Sequence, residues 1–266
     1  MNNKAIEEIK EKLARQELVL FIGAGIPKCI GLPDWQGLID YIARELGYET
    51  DIFKSLGNYP TLIEYYSIRK GGVDSLVEWM RKNWLIDETI VETSKIYDNL
   101  VGLGCKRIYT TNYEDSIEKA HDWKKVDYVS IATIQDFVGI RPEATQIIKF
   151  HGDLIRSTNL LLTESDYFRR LDFESPLDIK LRSDIIGKSV LFLGYSLTDI
   201  NMRYLIYKLN SLWKDVADKP RSYIFLASPN PIGSAVFESW GITPIVGTGI
   251  DRKENMENFL ASLVAE

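Results

Sequence analysis

The sequence predicts an α/β fold: a Rossmann-like, doubly wound parallel sheet flanked by helices, with a helical insertion after the first core strand. Three observations predict it. Short, continuous apolar runs recur along the chain, each of a length that suits a strand buried on both faces. Segments with the 3.6-residue period of amphipathic helices lie between them. The alternation of the two is the pattern of βαβ units.

The elements follow in order. Residues 3–16 carry Ile6, Ile9 and Leu13 at helical spacing. Leu18-Val19-Leu20-Phe21-Ile22 is the first strand, ending at Gly23. From about 37 to 105 there is no strong strand signal. That stretch is rich in Tyr, Trp and Leu at helical spacing, beginning with Leu38, Ile39, Ile42 and Leu46. It is expected to be a helical insertion, packed as a small module within one domain spanning 1–266. Gly71-Gly72 marks a turn between two of its helices. Strand patterns resume at Arg107-Ile108-Tyr109-Thr110-Thr111, Gln146-Ile147-Ile148-Lys149-Phe150, Val190-Leu191-Phe192-Leu193 and Tyr223-Ile224-Phe225-Leu226. Ile242 to Val246 is a short last strand. Met202, Leu205, Ile206 and Leu209 mark a helix after the fourth run.

Composition narrows the function. The chain has 266 residues, 45% hydrophobic and 26% charged, ordinary values for a soluble globular protein. A net charge of -6 offers no bulk attraction to nucleic acid, so no direct nucleic-acid binding is expected. Two cysteines, Cys29 and Cys105, build neither a four-cysteine zinc site nor a disulfide framework, and they fit a reducing cytosol. The N-terminal segment lacks the apolar core of a signal peptide, and no run approaches the roughly 20 residues that span a bilayer. A cytoplasmic protein without a membrane span and without a metal is expected.

Four places carry chemistry. Phe21-Ile22-Gly23-Ala24-Gly25 is a buried strand ending in a Gly-X-Gly turn, where glycine admits close approach and backbone N–H groups can cradle a pyrophosphate. It reads equally as a plain strand-to-helix turn, because the third glycine of the full dinucleotide pattern is replaced by Lys28. Thr110-Thr111-Asn112-Tyr113 ends the second strand, so Asn112 lies where ligands bind in open α/β sheets, or else caps a following helix. His151, in Phe150-His151-Gly152-Asp153, follows a strand directly and is placed to act as a base or to hold hydroxyls, unless it is a core histidine. His121, in a polar run, reads as a surface residue. Gly194-Tyr195-Ser196-Leu197-Thr198-Asp199 ends another buried strand, with hydroxyls and a helix start beyond it.

Taken together, Gly23-Ala24-Gly25, Gly31-Leu32-Pro33-Asp34-Trp35, Thr111-Asn112-Tyr113, His151-Gly152 and Gly194-Tyr195-Ser196-Leu197-Thr198-Asp199 resemble the sirtuin (SIR2-like) superfamily, and most closely its bacterial antiphage-defence branch. Leu162-Thr163-Glu164-Ser165-Asp166-Tyr167 resembles a further stretch of that branch. The resemblance implies an NAD site. Gly23, Ala24 and Gly25 would hold the pyrophosphate. Asn112, after Thr111, would position a water beside the nicotinamide ribose, and His151 would act as the base. Asp34 and Trp35 would lie by the nicotinamide pocket. Gly194, Tyr195, Ser196 and Asp199 would line the other side of the dinucleotide.

Three departures bear on the reaction. Sirtuin deacetylases carry two Cys-x-x-Cys pairs for structural zinc, which two cysteines cannot supply. Trp35-Gln36 stands where deacetylases have Phe-Arg, and Pro27 stands near a position usually held by Ser or Ala. The resemblance therefore implies an NAD hydrolase, yielding nicotinamide and ADP-ribose, rather than a protein deacylase. An NAD or ADP-ribose sensor without turnover is the rival from another class, disfavoured because a sensor needs no base. Free NAD hydrolysis harms a cell, so gating is expected through a homo-oligomer or a separate partner such as a HerA-type ring ATPase. The aromatics Tyr59, Tyr65, Tyr66, Trp79 and Trp84 read either as an interface or, residue by residue, as the insertion's own core.

Overall fold

The computed structural model describes residues 3–32, 35–156, 160–170, 174–195, 200–213, 216 and 219–264. Among them, seven strands form one sheet: β1 (Leu18–Ile22), β2 (Arg107–Thr110), β3 (Tyr128–Ile131), β4 (Thr145–Lys149), β5 (Ser189–Leu193), β6 (Ser222–Leu226) and β7 (Ile242–Val246). Their order is β3-β4-β2-β1-β5-β6-β7, and every pairing is parallel. The expected doubly wound α/β fold is what forms.

Burial explains the unbroken apolar runs. Every residue of β1, β4 and β5 is buried, because helices cover both faces of the sheet. Leu18, Leu20 and Ile22 face the helices Asn3–Ala14, Lys95–Gly102, Ser116–Lys124 and Arg252–Val264. Val19 and Phe21 point the other way, with Tyr109, Ile148 and Phe192, toward the helices Pro176–Ile185 and Pro231–Ser239. No helix among the described residues is long and apolar enough to cross a membrane.

The helices between β1 and β2 divide between two cores. Those at Trp35–Leu46, Thr50–Ser55, Tyr59–Lys70 and Asp74–Trp84 share Leu38, Ile42, Phe53, Ile63, Tyr66 and Met80. Val91, Ile96 and Leu100, from the last two helices, pack instead beneath the sheet. Gly71 ends its helix in the left-handed conformation at φ 76°, the turn expected there. The aromatics of this region differ in exposure: Tyr66 and Trp84 are buried, Trp79 stacks on Tyr41 at 4.9 Å, and Tyr59, which is exposed, stacks on Trp35 at 6.2 Å.

Two features differ from the sequence reading. The edge strand β3 is absent from it, because Tyr128-Val129-Ser130-Ile131 is short and only its last residue is buried. His121 is buried rather than on the surface. Its Nδ1 lies 2.8 Å from the Ile117 carbonyl oxygen, and its ring meets Tyr128 edge-on at 5.7 Å. The two misreadings are one, since β3 supplies the wall that covers His121. Burial also lowers the tendency of this imidazole to protonate.

The topology fixes where a ligand can sit. From β1 the chain builds β2, β3 and β4 on one side, then returns to place β5 on the other. The connections after β1 and β5 therefore diverge, the arrangement that in open α/β sheets marks the ligand crevice outside the carboxyl ends of the strands.

Candidate functional site

The β1–β5 side of the crevice is built from backbone. The Gly23 N–H donates to the Leu193 carbonyl at 2.9 Å and the Gly25 N–H to the Gly194 carbonyl at 2.8 Å. A Cβ on Gly25 would lie 2.7 Å from the Gly194 Cα, and one on Gly194, whose φ is 64°, would lie 2.6 Å from the Ile26 nitrogen. These glycines thus serve a crossing of two chain segments, whatever they also offer a ligand. Ala24, between them, is exposed. Tyr195 lies edge-on to Phe21 at 5.5 Å, and its hydroxyl donates to Thr111 Oγ1 at 3.1 Å. That bond links β5 to β2 across the end of β1.

Asn112 is buried just past β2. It caps no helix: the next one, Ser116–Lys124, begins after Asp115. Its backbone N–H donates to Thr110 Oγ1 at 3.0 Å, and its side-chain Nδ2 donates to the Gly23 carbonyl at 3.3 Å. The amide plane is therefore set by the turn after β1.

His151 follows β4 and is 2% exposed. The Phe150 N–H donates to the Thr110 carbonyl at 2.7 Å and the Leu154 N–H to the Tyr113 carbonyl at 3.0 Å, so the chain around His151 runs beside the chain around Asn112. Gly152, at φ 100°, turns the backbone sharply after the imidazole. Tyr167 meets the His151 ring edge-on at 5.5 Å, and Tyr113 lies at 6.4 Å. The Thr163-to-Tyr167 stretch now has a physical reading. Thr163 and Asp166 form a capping box that starts the helix Glu164–Arg169, and this start delivers Tyr167 to the imidazole.

The helical region roofs this side. Trp35, at the start of its helix, lies edge-on to Tyr113 and to Trp84, each at 5.9 Å. Thr61 Oγ1 donates to Glu164 at 3.0 Å, and Arg81 Nε donates to the Leu154 carbonyl at 3.1 Å. Asp34, Ser196 and Asp199 lie outside the described residues, as do Pro33, Leu197 and Thr198. The structure therefore gathers Gly23, Ala24, Gly25, Thr111, Asn112, His151, Gly194 and Tyr195 along one edge of the sheet, with Trp35 reaching it through Tyr113.

Sequence reasoning missed the support beneath the site. Lys149 Nζ, fully buried, donates to the Glu114 carbonyl at 2.7 Å and lies 3.3 Å from Glu118 Oε1. Burial pushes the Glu114 carboxyl up, opposed by the Lys149 charge. Arg170 sits 3.9 Å over the Phe150 ring, donates to the Phe150 carbonyl and pairs with Asp178 at 3.3 Å. A lysine directly after the apolar pair Ile147-Ile148, and just before Phe150, was the available signal.

The chain is similar to known proteins. A family model described as a SIR2-like domain matches residues 106–245. Defense-associated sirtuin 2 of Bacillus subtilis is 30% identical over 235 residues, covering 86% of this chain and 22% of that protein. The NAD(+) hydrolase ThsA of Cytobacillus dafuensis is 30% identical over 209 residues, 78% of this chain and 41% of that protein. ThsA of Bacillus cereus (strain MSX-D12) is 27% identical over 229 residues, 83% and 45% respectively. The chain spans less than half the length of each of these relatives.

Proposed function

This chain belongs to the SIR2-like family, and on that premise we propose that it hydrolyses NAD to nicotinamide and ADP-ribose as an effector of antiphage defence. One observation carries the reading. The motifs after β4, β2, β1 and β5 are far apart in the chain, yet those strands are four consecutive neighbours in the sheet. Their carboxyl ends border the crevice where open α/β sheets bind dinucleotides. Relatives bearing the name NAD(+) hydrolase support the substrate.

The chemistry asks little of the protein beyond placement and one base. Water attacks the anomeric carbon of the nicotinamide ribose. The carbon–nitrogen bond breaks, and its electron pair neutralises the pyridinium of departing nicotinamide. Asn112 Nδ2 is engaged by the Gly23 carbonyl, and its Oδ1 orients the water. His151 accepts the water's proton, directly or through a ribose hydroxyl, and releases it to solvent. Such a base contributes about 10²–10⁴-fold, and orientation within a closed site adds to that.

The activity is gated, by a homo-oligomer or by a separate partner such as a HerA-type ring ATPase, because unregulated loss of NAD would poison the cytoplasm. Abortive infection would follow from release of that gate. The test is NAD consumption by the purified protein without peptide or metal, alone and with the product of a neighbouring gene. Nicotinamide and ADP-ribose are expected from the parent. His151→Ala should lose about 10²–10⁴-fold and Asn112→Ala should lose turnover, with both variants still unfolding cooperatively. Full activity in both variants refutes the assignment.

A further inference from the structure

The buried charge at the end of β4 has no part in the chemistry above, yet it joins the two segments that carry that chemistry. Lys149 is 0% exposed and stands two residues before His151. It accompanies Ile147 on the sheet face covered by the helix Ser116–Lys124. Its ammonium donates to the backbone carbonyl of Glu114, two residues after Asn112, and pairs with Glu118 on that helix. Three elements meet at one nitrogen.

An ammonium is costly to bury unless its partners compensate, and an apolar side chain would fill the same space. What only a donor provides is capture of a carbonyl. The β2–β4 ladder ends where the Phe150 N–H meets the Thr110 carbonyl. The segment carrying Asn112 then leaves the sheet. It is recaptured twice by the chain around His151: at the Tyr113 carbonyl by the Leu154 N–H, and at the Glu114 carbonyl by Lys149. Glu118, which also accepts from the Ser130 hydroxyl at 2.9 Å, lies 3.3 Å from the same ammonium.

We propose that Lys149 is a positioning residue: its ammonium clamps the Asn112 loop to the strand ending in His151, setting the geometry of bond cleavage rather than the affinity for NAD. The inference rests on the roles given to Asn112 and His151.

The test uses the paired variant Lys149→Met with Glu118→Gln, which removes the clamp without leaving the Glu118 carboxylate unpaired. Lys149→Gln is measured alongside, so that a folding defect in one leaves the other to decide. Hydrogen exchange at residues 111–115 and steady-state NAD hydrolysis are followed in each, under the conditions that activate the parent. Faster exchange in that segment is expected, with kcat down by about 10²-fold, as small misplacements cost, and with KM unchanged. A folded variant with parental kcat, with a raised KM at parental kcat, or with parental exchange overturns the proposal. A parent that leaves NAD intact under every condition refutes the hydrolase reading instead, and the exchange data still decide whether Lys149 holds the loop.

Discussion

The two sides of the crevice are held by opposite means. On the β1–β5 side, Gly23, Gly25 and Gly194 touch through backbone, and Cβ atoms would not fit between them. On the β2–β4 side, a buried ammonium spans Glu114 and Glu118. The first side tolerates no added volume and is indifferent to charge. The second has room for side chains but depends on charge balance. A crevice between two sheet halves can thus be fixed by contact on one flank and by electrostatics on the other, and the flanks should fail in different ways.

The largest effect expected is from Lys149→Met alone. It strands Glu118 in the interior and should cost about 3–5 kcal/mol, read as a shift in denaturant midpoint. Little or no loss would mean that the β2–β4 side is not held by charge, and the comparison would collapse. Gly25→Ala comes next. Its Cβ would meet the Gly194 backbone, an overpacking worth about 1–3 kcal/mol. That cost should stay constant with salt and pH, which distinguishes it from the lysine variant.

Glu114→Gln is the smallest and sharpens the contrast. Burial raises the Glu114 carboxyl, with Lys149 and the Ser116 hydroxyl opposing and Glu118 adding to the rise. The fold therefore favours the acid form. Its contribution is complete below the ordinary carboxylate value and is lost as pH rises toward the raised one. Glutamine escapes that loss, so its stability relative to the parent should improve from about pH 4 toward neutrality. A difference that is flat with pH would show that folding does not raise the Glu114 carboxyl.

Much of the sheet was readable because strands buried on both faces must be apolar throughout, as Leu18–Ile22 and Ser189–Leu193 nearly are. Edge strand β3 escaped, since an exposed edge imposes no such pattern, and His121 was misplaced with it. At the site, residue identity located Asn112 and His151, but not what surrounds them. The Gly23 carbonyl that fixes Asn112 is 89 residues away in sequence, and no local pattern reports such a partner. The glycines carried a double meaning. The sequence reads Gly23 and Gly25 as room for a phosphate; the structure shows them as room for Gly194.

The strand order has a consequence for how the protein is made. One edge of β1 is completed by β2 and the other only by β5, which reaches Leu193. A nascent chain long enough to expose Asn112 and His151 still lacks the acceptors for the Gly23 and Gly25 amides, which belong to Leu193 and Gly194. Ribosomal products that stop short of that point carry Asn112 and His151 without the β5 contacts of Gly23 and Gly25. Vectorial synthesis thereby withholds these contacts until most of the sheet has emerged.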